Sequence, residues 1–161
     1  MDHIPLEDDL YFRGVGKRFS VKELQELPNS NLPIAYLEFL SKNNGGTPNK
    51  QEFRVPICGV AVLVNLLCAD VFGFRASEKP LEHSLSWFAY RCGKYVPEDW
   101  MIIGVVNRDD FLVLHRSVGS IGIVYWEQVM ELLDKPSDSV VVIVAPTILA
   151  FLLMLEEFID E

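Results

Sequence analysis

Residues that could carry out chemistry are few in this chain, and their spacing matches no catalytic or metal-binding pattern. The three histidines, His3, His83 and His115, lie far apart in the sequence. Zinc sites need Cys and His ligands at short, regular separations. Glycine-rich phosphate and dinucleotide loops, the serine-hydrolase elbow and the zinc-peptidase helix motif are also absent from the sequence. The sequence therefore predicts no metal, no cofactor and no catalytic residue.

Cys92 and His115 are the pair that could still support covalent catalysis, because a thiol and an imidazole can meet in space across a long sequence separation. Buried cysteines that pack as small apolar residues are much more common than nucleophiles. The chain has three cysteines and no Cys-x-x-Cys pair, and Cys58 and Cys68 lie in apolar runs. This pattern favours reduced thiols and a cytoplasmic protein. A small hydrolase built on Cys92 is kept as a minor alternative.

Two pairs of carboxylates, Glu98-Asp99 and Asp109-Asp110, fall in predicted loops. Such pairs could bind Ca²⁺ or act as general acid and base, but neither has the ligand density of a calcium loop. Solvated turn residues are the plainer interpretation. Because exposed loops often carry recognition, these four residues are our candidates for binding a partner protein.

The charge of the chain limits the class of partner. The sequence has 161 residues, 14 basic and 23 acidic, and a net charge of −9. Such a surface disfavours nucleic acids and anionic membranes, because both are negatively charged, and it attracts basic proteins. The uncharged run 139–155 is shorter than the roughly 20 residues of a membrane span, and Pro146 divides it. We therefore predict a buried strand followed by a helix there, and no membrane span.

Clear start and stop signals place the first two helices. Ser20 and Glu23 form a capping-box pattern that predicts a helix over 21–27. Pro33 suits a first helical turn, and Gly45-Gly46 suits a helix end, which predicts a second helix over 33–42.

The remaining elements predict an α+β domain. We expect a mostly antiparallel sheet of about five to six strands with helices packed on it, and helices at both ends of the domain. The predicted elements are a β-rich region over 53–74 (strand or helix over 60–68), a helix over 81–92 after Pro80, strands over 101–106, 111–115 and 122–126, a helical turn over 127–133, a strand over 140–145 and a helix from Pro146 to about Ile159.

Taken together, these segments resemble the SUKH superfamily, named for yeast cell-wall-synthesis regulators and bacterial immunity proteins. Three segments carry the resemblance. The first is similar to the pattern L-P-x-x-Y-x-x-F-L…N-G-G-x-P and comprises Leu32, Pro33, Tyr36, Phe39, Leu40, Asn44, Gly45, Gly46 and Pro48. The second is 96–104, with Pro97 and Trp100, and the third is 122–126, with Trp126, followed by a closing helix near 147–158.

The resemblance implies an α+β fold and a non-enzymatic role. It also implies that the motif residues are structural, and it transfers no catalytic residue. Many bacterial members bind and neutralise a toxin, often a nuclease or a deaminase, whereas others are regulatory or interaction modules. We expect one domain over 1–161, in which residues 1–20 form an N-terminal extension without a counterpart in the family.

These observations lead to a specific expectation. We expect a cytoplasmic immunity protein that binds a basic toxin domain, with a regulatory or scaffold module for endogenous proteins as the alternative. The net charge of −9 suits a basic partner.

Overall fold

Six strands pair in one antiparallel sheet in this computed structural model, and each strand lies beside its neighbour in sequence. The structure describes residues 12–13, 19–48, 51–56, 59–69, 74, 84–107, 109–131 and 140–156. In chain order the strands are β1 (Phe12–Arg13), β2 (Thr47–Pro48), β3 (Glu52–Arg54), β4 (Ala61–Leu66), β5 (Trp100–Val106), β6 (Asp110–His115), β7 (Ile121–Val124) and β8 (Val141–Ala145). The large sheet runs from β3 to β8 as a meander, and β1 pairs with β2 separately.

Helices accompany this sheet at both ends of the described chain. They are α1 (Val21–Glu26), α2 (Ile34–Lys42), α3 (Leu85–Cys92) with a 3-10 helix (Gly93–Tyr95), α4 (Trp126–Glu131) and α5 (Ile148–Leu153). The helix α3 packs against β5, and α5 packs against β8. The predicted α+β class and antiparallel sheet are confirmed.

The core lies on the central strands. All four residues of β7 are buried, as are six of the seven residues of β5. Alternating side chains of a strand point to opposite faces of the sheet, so other elements cover both faces of these strands. The strand β4 instead alternates between exposed and buried residues. This period of two identifies 61–66 as a strand, where the sequence left strand and helix open.

The end of α2 is fixed to the chain after β4 by the side chain of Asn44. This side chain is fully buried. Its Nδ2 donates to the carbonyl oxygen of Ala69 over 2.9 Å, and its Oδ1 accepts from the backbone N–H of Ala69 over 2.8 Å. Gly46 adds two backbone hydrogen bonds to Leu66, of 2.8 and 2.9 Å. Four hydrogen bonds therefore join this short segment to the end of β4.

Gly45 allows this approach. Its φ is +81°, a region that L side chains rarely adopt. A Cβ at this position would lie 2.6 Å from the carbonyl carbon of Leu67. No other residue type fits without moving one backbone away from the other.

The motif residues ahead of this turn lie in or against the core. Tyr36, Phe39 and Leu40 are at most 2% exposed. Leu32 is half-buried and packs against the same cluster. Pro33 is the N-cap residue of α2, and Pro48 lies in β2.

Two predicted boundaries were wrong, namely the start of the third helix and the end of the strand 122–126. The helix α3 begins at Leu85 rather than 81, because Ser84 has an extended backbone and its hydroxyl accepts from the Trp87 N–H over 3.2 Å. Pro80 lies outside the described residues. The strand β7 ends at Val124, and Trp126 instead begins α4.

The last helix is also shorter than predicted. It begins after the N-cap residue Thr147, whose hydroxyl accepts from the Ala150 N–H over 3.0 Å, and it ends at Leu153. The chain then turns so that Glu156 pairs with Glu52 of β3 through two backbone hydrogen bonds of 3.0 and 2.7 Å. The last residues of the predicted helix, 157–159, lie outside the described part.

Most of the proposed N-terminal extension also falls outside the described residues. Within it, Phe12 and Arg13 pair with Pro48 and Thr47. No helix among the described residues combines the length and the hydropathy that crossing a membrane requires.

Asn44→Ala should lower the free energy of unfolding by about 2–4 kcal/mol, because two buried backbone groups of Ala69 lose their partner. Urea denaturation measures the change. The matched control is Asn43→Ala, whose buried Nδ2 has no hydrogen-bond partner in the described part, and which should cost less than about 1 kcal/mol. Equal losses for the two variants would contradict the assignment of the Asn44 side chain as the connection.

Candidate partner-binding surface

The two acidic pairs lie at opposite ends of the β5–β6 hairpin. Glu98-Asp99 immediately precedes β5, whose first residue, Trp100, pairs with His115. Asp109 lies in the turn before β6, and Asp110 is the first residue of β6, at the end where it pairs with Val106. Six residue steps of a strand span about 20 Å. The structure therefore does not bring the two pairs together into one acid–base or metal site.

Asp110 has a structural contact in addition to its charge. It is half-buried, and its Oδ1 accepts from the backbone N–H of Trp126 over 2.9 Å. This N–H belongs to the first turn of α4, where backbone donors lack helical partners. The carboxylate therefore satisfies the start of α4, which explains why the helix begins at Trp126. Its neighbour Asp109 is exposed.

The Glu98-Asp99 loop is held through its backbone, which leaves both carboxylates exposed. Arg116 donates from Nε to the carbonyl oxygen of Glu98 over 3.1 Å. Its backbone N–H donates to the carbonyl oxygen of Asp99 over 2.8 Å. Burial lowers the pKa of Arg116, and the carboxylates of Glu98 and Asp99 partly oppose that effect. The loop is therefore a rigid acidic rim around a half-buried cation.

Beside this rim, α3 and the 3-10 helix carry a half-exposed aromatic and basic surface. Its members are Trp87, Tyr90, Arg91, Lys94 and Tyr95, which we call the α3 surface. They recur at helical spacing, so they share one side of α3 and its continuation. Only Leu85 and Ser86 of α3 are buried. Tyr90 is 53% exposed, which is unusual for so large a side chain.

Cations on the α3 surface lie over aromatic rings. The Arg91 guanidinium carbon is 5.0 Å from the centre of the Trp87 ring, and the Lys94 Nζ is 5.1 Å from the centre of the Tyr95 ring. Such contacts contribute about 0.5–1 kcal/mol each at exposed sites. Tyr95 in turn meets Trp126 edge to face, with ring centres 4.8 Å apart. These contacts restrict the motion of the large side chains.

A groove of about 640 Å³ opens between the end of α3 and β5. We call it the Arg116 groove. Lys94, Glu98 and Arg116 provide its charged groups, and Trp100 lies in its wall. The rest of its lining is mostly apolar and includes Ala89, Pro97 and Ile102.

Trp100, which lines the groove, also has a buried donor without a partner in the described part. Its side chain is 5% exposed, and its indole Nε1 has no hydrogen-bond partner in the described part of the chain. An unpaired buried donor costs about 1–3 kcal/mol. Its ring packs edge to face on His115 at 5.0 Å. The motif residue Pro97 is also buried, and Trp126 is half-buried.

The contacts of Cys92 and His115 do not suit a thiol–imidazole pair. Burial raises the pKa of the Cys92 thiol, with Arg91 and Lys94 partly opposing it, so the reactive thiolate is disfavoured. The His115 Nδ1 already accepts from the backbone N–H groups of Ser117 and Val118, over 3.2 and 3.1 Å. Within the described ranges, no three His, Cys, Asp or Glu side chains cluster as a metal site would.

Sequence reasoning identified the acidic loops but missed the α3 surface. The spacing of Trp87, Tyr90, Arg91 and Lys94 was a usable signal, since i, i+3, i+4 and i+7 form one helical face. The Arg116 groove gave no such signal. Arg116 lies far from α3 in the chain and reaches the groove only through the pairing of β5 with β6.

A family model described as SMI1 / KNR4 family (SUKH-1) matches residues 20–154 of the chain. No curated protein matches the chain.

Asp110 variants separate capping from charge. Asp110→Asn keeps an acceptor for the Trp126 N–H and should change the free energy of unfolding by less than about 0.5 kcal/mol, whereas Asp110→Ala should lower it by about 1 kcal/mol. Urea denaturation measures both variants, with Asp109→Ala as the exposed control. If Asp110→Ala were as stable as that control, the carboxylate would not be a cap.

Proposed function

Because the chain belongs to the SMI1 / KNR4 family (SUKH-1), we propose that it acts by binding another protein, without catalysis, as an immunity protein that neutralises a toxin domain in the cytoplasm. Family membership supports protein binding in general. The toxin partner is the further step of the proposal. The observation that carries the proposal is the α3 surface, on which Tyr90, Arg91 and Lys94 are exposed to solvent beside the half-buried rings of Trp87 and Tyr95.

The composition of the α3 surface is that of an interface centre. Residues that dominate binding energy are most often Trp, Tyr and Arg, and this surface holds Trp87, Tyr90 and Arg91 side by side. Aromatic side chains bury large areas with few rotatable bonds to fix. Because Arg91 and Lys94 already rest on rings, less side-chain entropy is lost when a partner docks.

The charge of the chain favours a basic partner such as a nuclease domain. A net charge of −9 attracts a basic protein at long range. Glu98 and Asp99 extend this attraction to the edge of the α3 surface, because their carboxylates are exposed. Asp109 lies about 20 Å away along the hairpin, so it contributes only if the interface extends that far.

Neutralisation of toxicity tests the proposal. The chain is co-expressed with a toxin-like C-terminal domain encoded next to it, where there is one, and surviving cells are counted. Rescue by this chain, and none by an unrelated immunity protein, is expected. Tyr90→Ala should abolish the rescue, since it removes a central aromatic contact, whereas Val60→Ala should not. The exposures of these two side chains, 53% and 55%, are closely matched.

Failure of the folded chain to rescue cells from its neighbouring toxin domain would contradict the immunity role. The regulatory or scaffold module would then be favoured, and native pull-down would identify its endogenous partners. Rescue that survives Tyr90→Ala would keep the immunity role but place the interface away from the α3 surface.

Charge reversal at the acidic rim should slow association with the toxin domain. The double variant Glu98→Lys/Asp99→Lys should lower the association rate constant about tenfold at low ionic strength, with little change in dissociation. The control Glu26→Lys/Glu38→Lys reverses two exposed carboxylates elsewhere. Each reversal adds two positive charges, so both double variants change the net charge from −9 to −5.

Stopped-flow kinetics at several salt concentrations measure both variants. An equal effect of the two would show that only net charge matters and would remove the rim from the interface. An association rate that is independent of ionic strength would remove electrostatic steering altogether.

A further inference from the structure

We propose that the Arg116 groove receives a glutamate side chain of the protein partner, with the carboxylate on Arg116 and Lys94 and the methylenes against the apolar wall. This inference rests on the proposed protein-binding function and names the chemistry of one contact within it. The proposed contact is made to an acidic group of the partner. The negative net charge of the chain alone would instead suggest that every important contact is made to a basic group of the partner.

The polar groups of the groove favour an acceptor. Arg116 uses its Nε for the carbonyl oxygen of Glu98, and its two terminal nitrogens make no hydrogen bond or ion pair among the described residues. Lys94 places its ammonium on Tyr95 and pairs with no carboxylate in the described part. Both groups are donors, so the group that complements them is an acceptor.

A bound anion stabilises Arg116 more than it would stabilise an exposed arginine, because Arg116 is partly buried. The guanidinium is half-buried, so it has lost part of its hydration without gaining a bonded anion. Charge-assisted hydrogen bonds from a planar guanidinium to a carboxylate are strong and frequently bidentate. A carboxylate entering the groove therefore replaces the lost hydration with two directed contacts.

The surroundings favour a single negative charge over two. Glu98 and Asp99 flank Arg116 with exposed carboxylates. A phosphate, with nearly two charges near neutral pH, meets more repulsion from them than a carboxylate does. Ala89, Pro97 and Ile102 add an apolar wall that suits a hydrocarbon stem. A glutamate side chain has both features, a single charge and two methylene groups.

Small probes test this without any toxin. The isotope-labelled full chain is titrated with N-acetylglutamic acid α-amide, and the indole N–H resonance of Trp100, assigned with Trp100→Phe, is followed by NMR. The uncharged N-acetylglutamine α-amide is the matched probe. We expect saturable movement of the resonance with the acid and none with the amide. Equal responses to both probes, or no response to either, would overturn the proposal.

Variants locate the contact. Arg116→Gln should weaken binding of the acid about tenfold, and Lys94→Gln about threefold. The Lys94 side chain has no hydrogen bond to the backbone in the described part. The Lys94→Gln variant therefore tests the groove even if the loss of Arg116 disturbs the Glu98-Asp99 loop. Lys42→Gln, an exposed lysine at the end of α2, is the control. If Lys94→Gln and a correctly folded Arg116→Gln variant both bound the acid with unchanged affinity, the site would lie elsewhere.

Two further probes distinguish a side-chain carboxylate from a phosphate and from the carboxylate of a chain terminus. Stronger binding of inorganic phosphate than of the acid would overturn the carboxylate assignment. Stronger binding of N-acetylalanine would assign the groove to a chain terminus and overturn the side-chain assignment. Because no toxin is used, failure here leaves the neutralisation result standing, and failure of neutralisation leaves the groove standing.

Discussion

The hydrogen bonds between the Asn44 side chain and the backbone of Ala69 anchor the segment on which the rest of the structure depends. Residues 66–69, which are the last residue of β4 and the three that follow it, meet three other elements. Asn44 and Gly46 join them to the end of α2. The N–H of Leu67 donates to the carbonyl oxygen of Ile103 in β5 over 2.9 Å, and the carbonyl oxygen of Cys68 accepts from Leu85 at the start of α3 over 2.8 Å. Because backbone groups at this depth need partners, the segment fixes α2, β5 and α3 relative to one another.

The α3 surface follows from that arrangement. With Leu85 tied to Cys68 and the Ser84 hydroxyl on the Trp87 N–H, the rotation of α3 about its axis is determined at its first turn. A residue three or four positions further on lies on the same side of a helix, so fixing Trp87 also fixes Tyr90, Arg91 and Lys94. The Arg116 groove needs in addition the β5–β6 pairing, which brings Arg116 to the end of α3. A surface made of distant segments thus depends on a few buried backbone contacts.

The sequence predicted the helix ends that local signals determine. It did not predict the helix ends that depend on a residue far away in the chain. The capping box of Ser20 and Glu23 and the glycine end of α2 are local, and both are present. The start of α4 depends on Asp110, sixteen residues earlier, and the end of α5 depends on Glu52, which pairs with Glu156. No local pattern contains those partners. The same holds for the candidate site, because the acidic pairs were visible as residues, whereas their separation along the hairpin and the meeting of Arg116 with α3 are properties of strand pairing.

The net charge of the whole chain is negative, but the centre of the proposed interface is positive. The first acts on a distant partner, and the second acts on a partner in contact. At distances beyond a Debye length, about 8–10 Å in physiological salt, a partner senses the net charge of −9 and is attracted if it is basic. In the proposed complex, the partner meets Arg91, Lys94 and Arg116 at contact, with Glu98 and Asp99 at the rim. These three cations repel a uniformly basic partner, whereas a carboxylate among basic residues complements them. Under this proposal, attraction at long range raises the rate of encounter, and the inverted charge at contact favours one orientation and one partner.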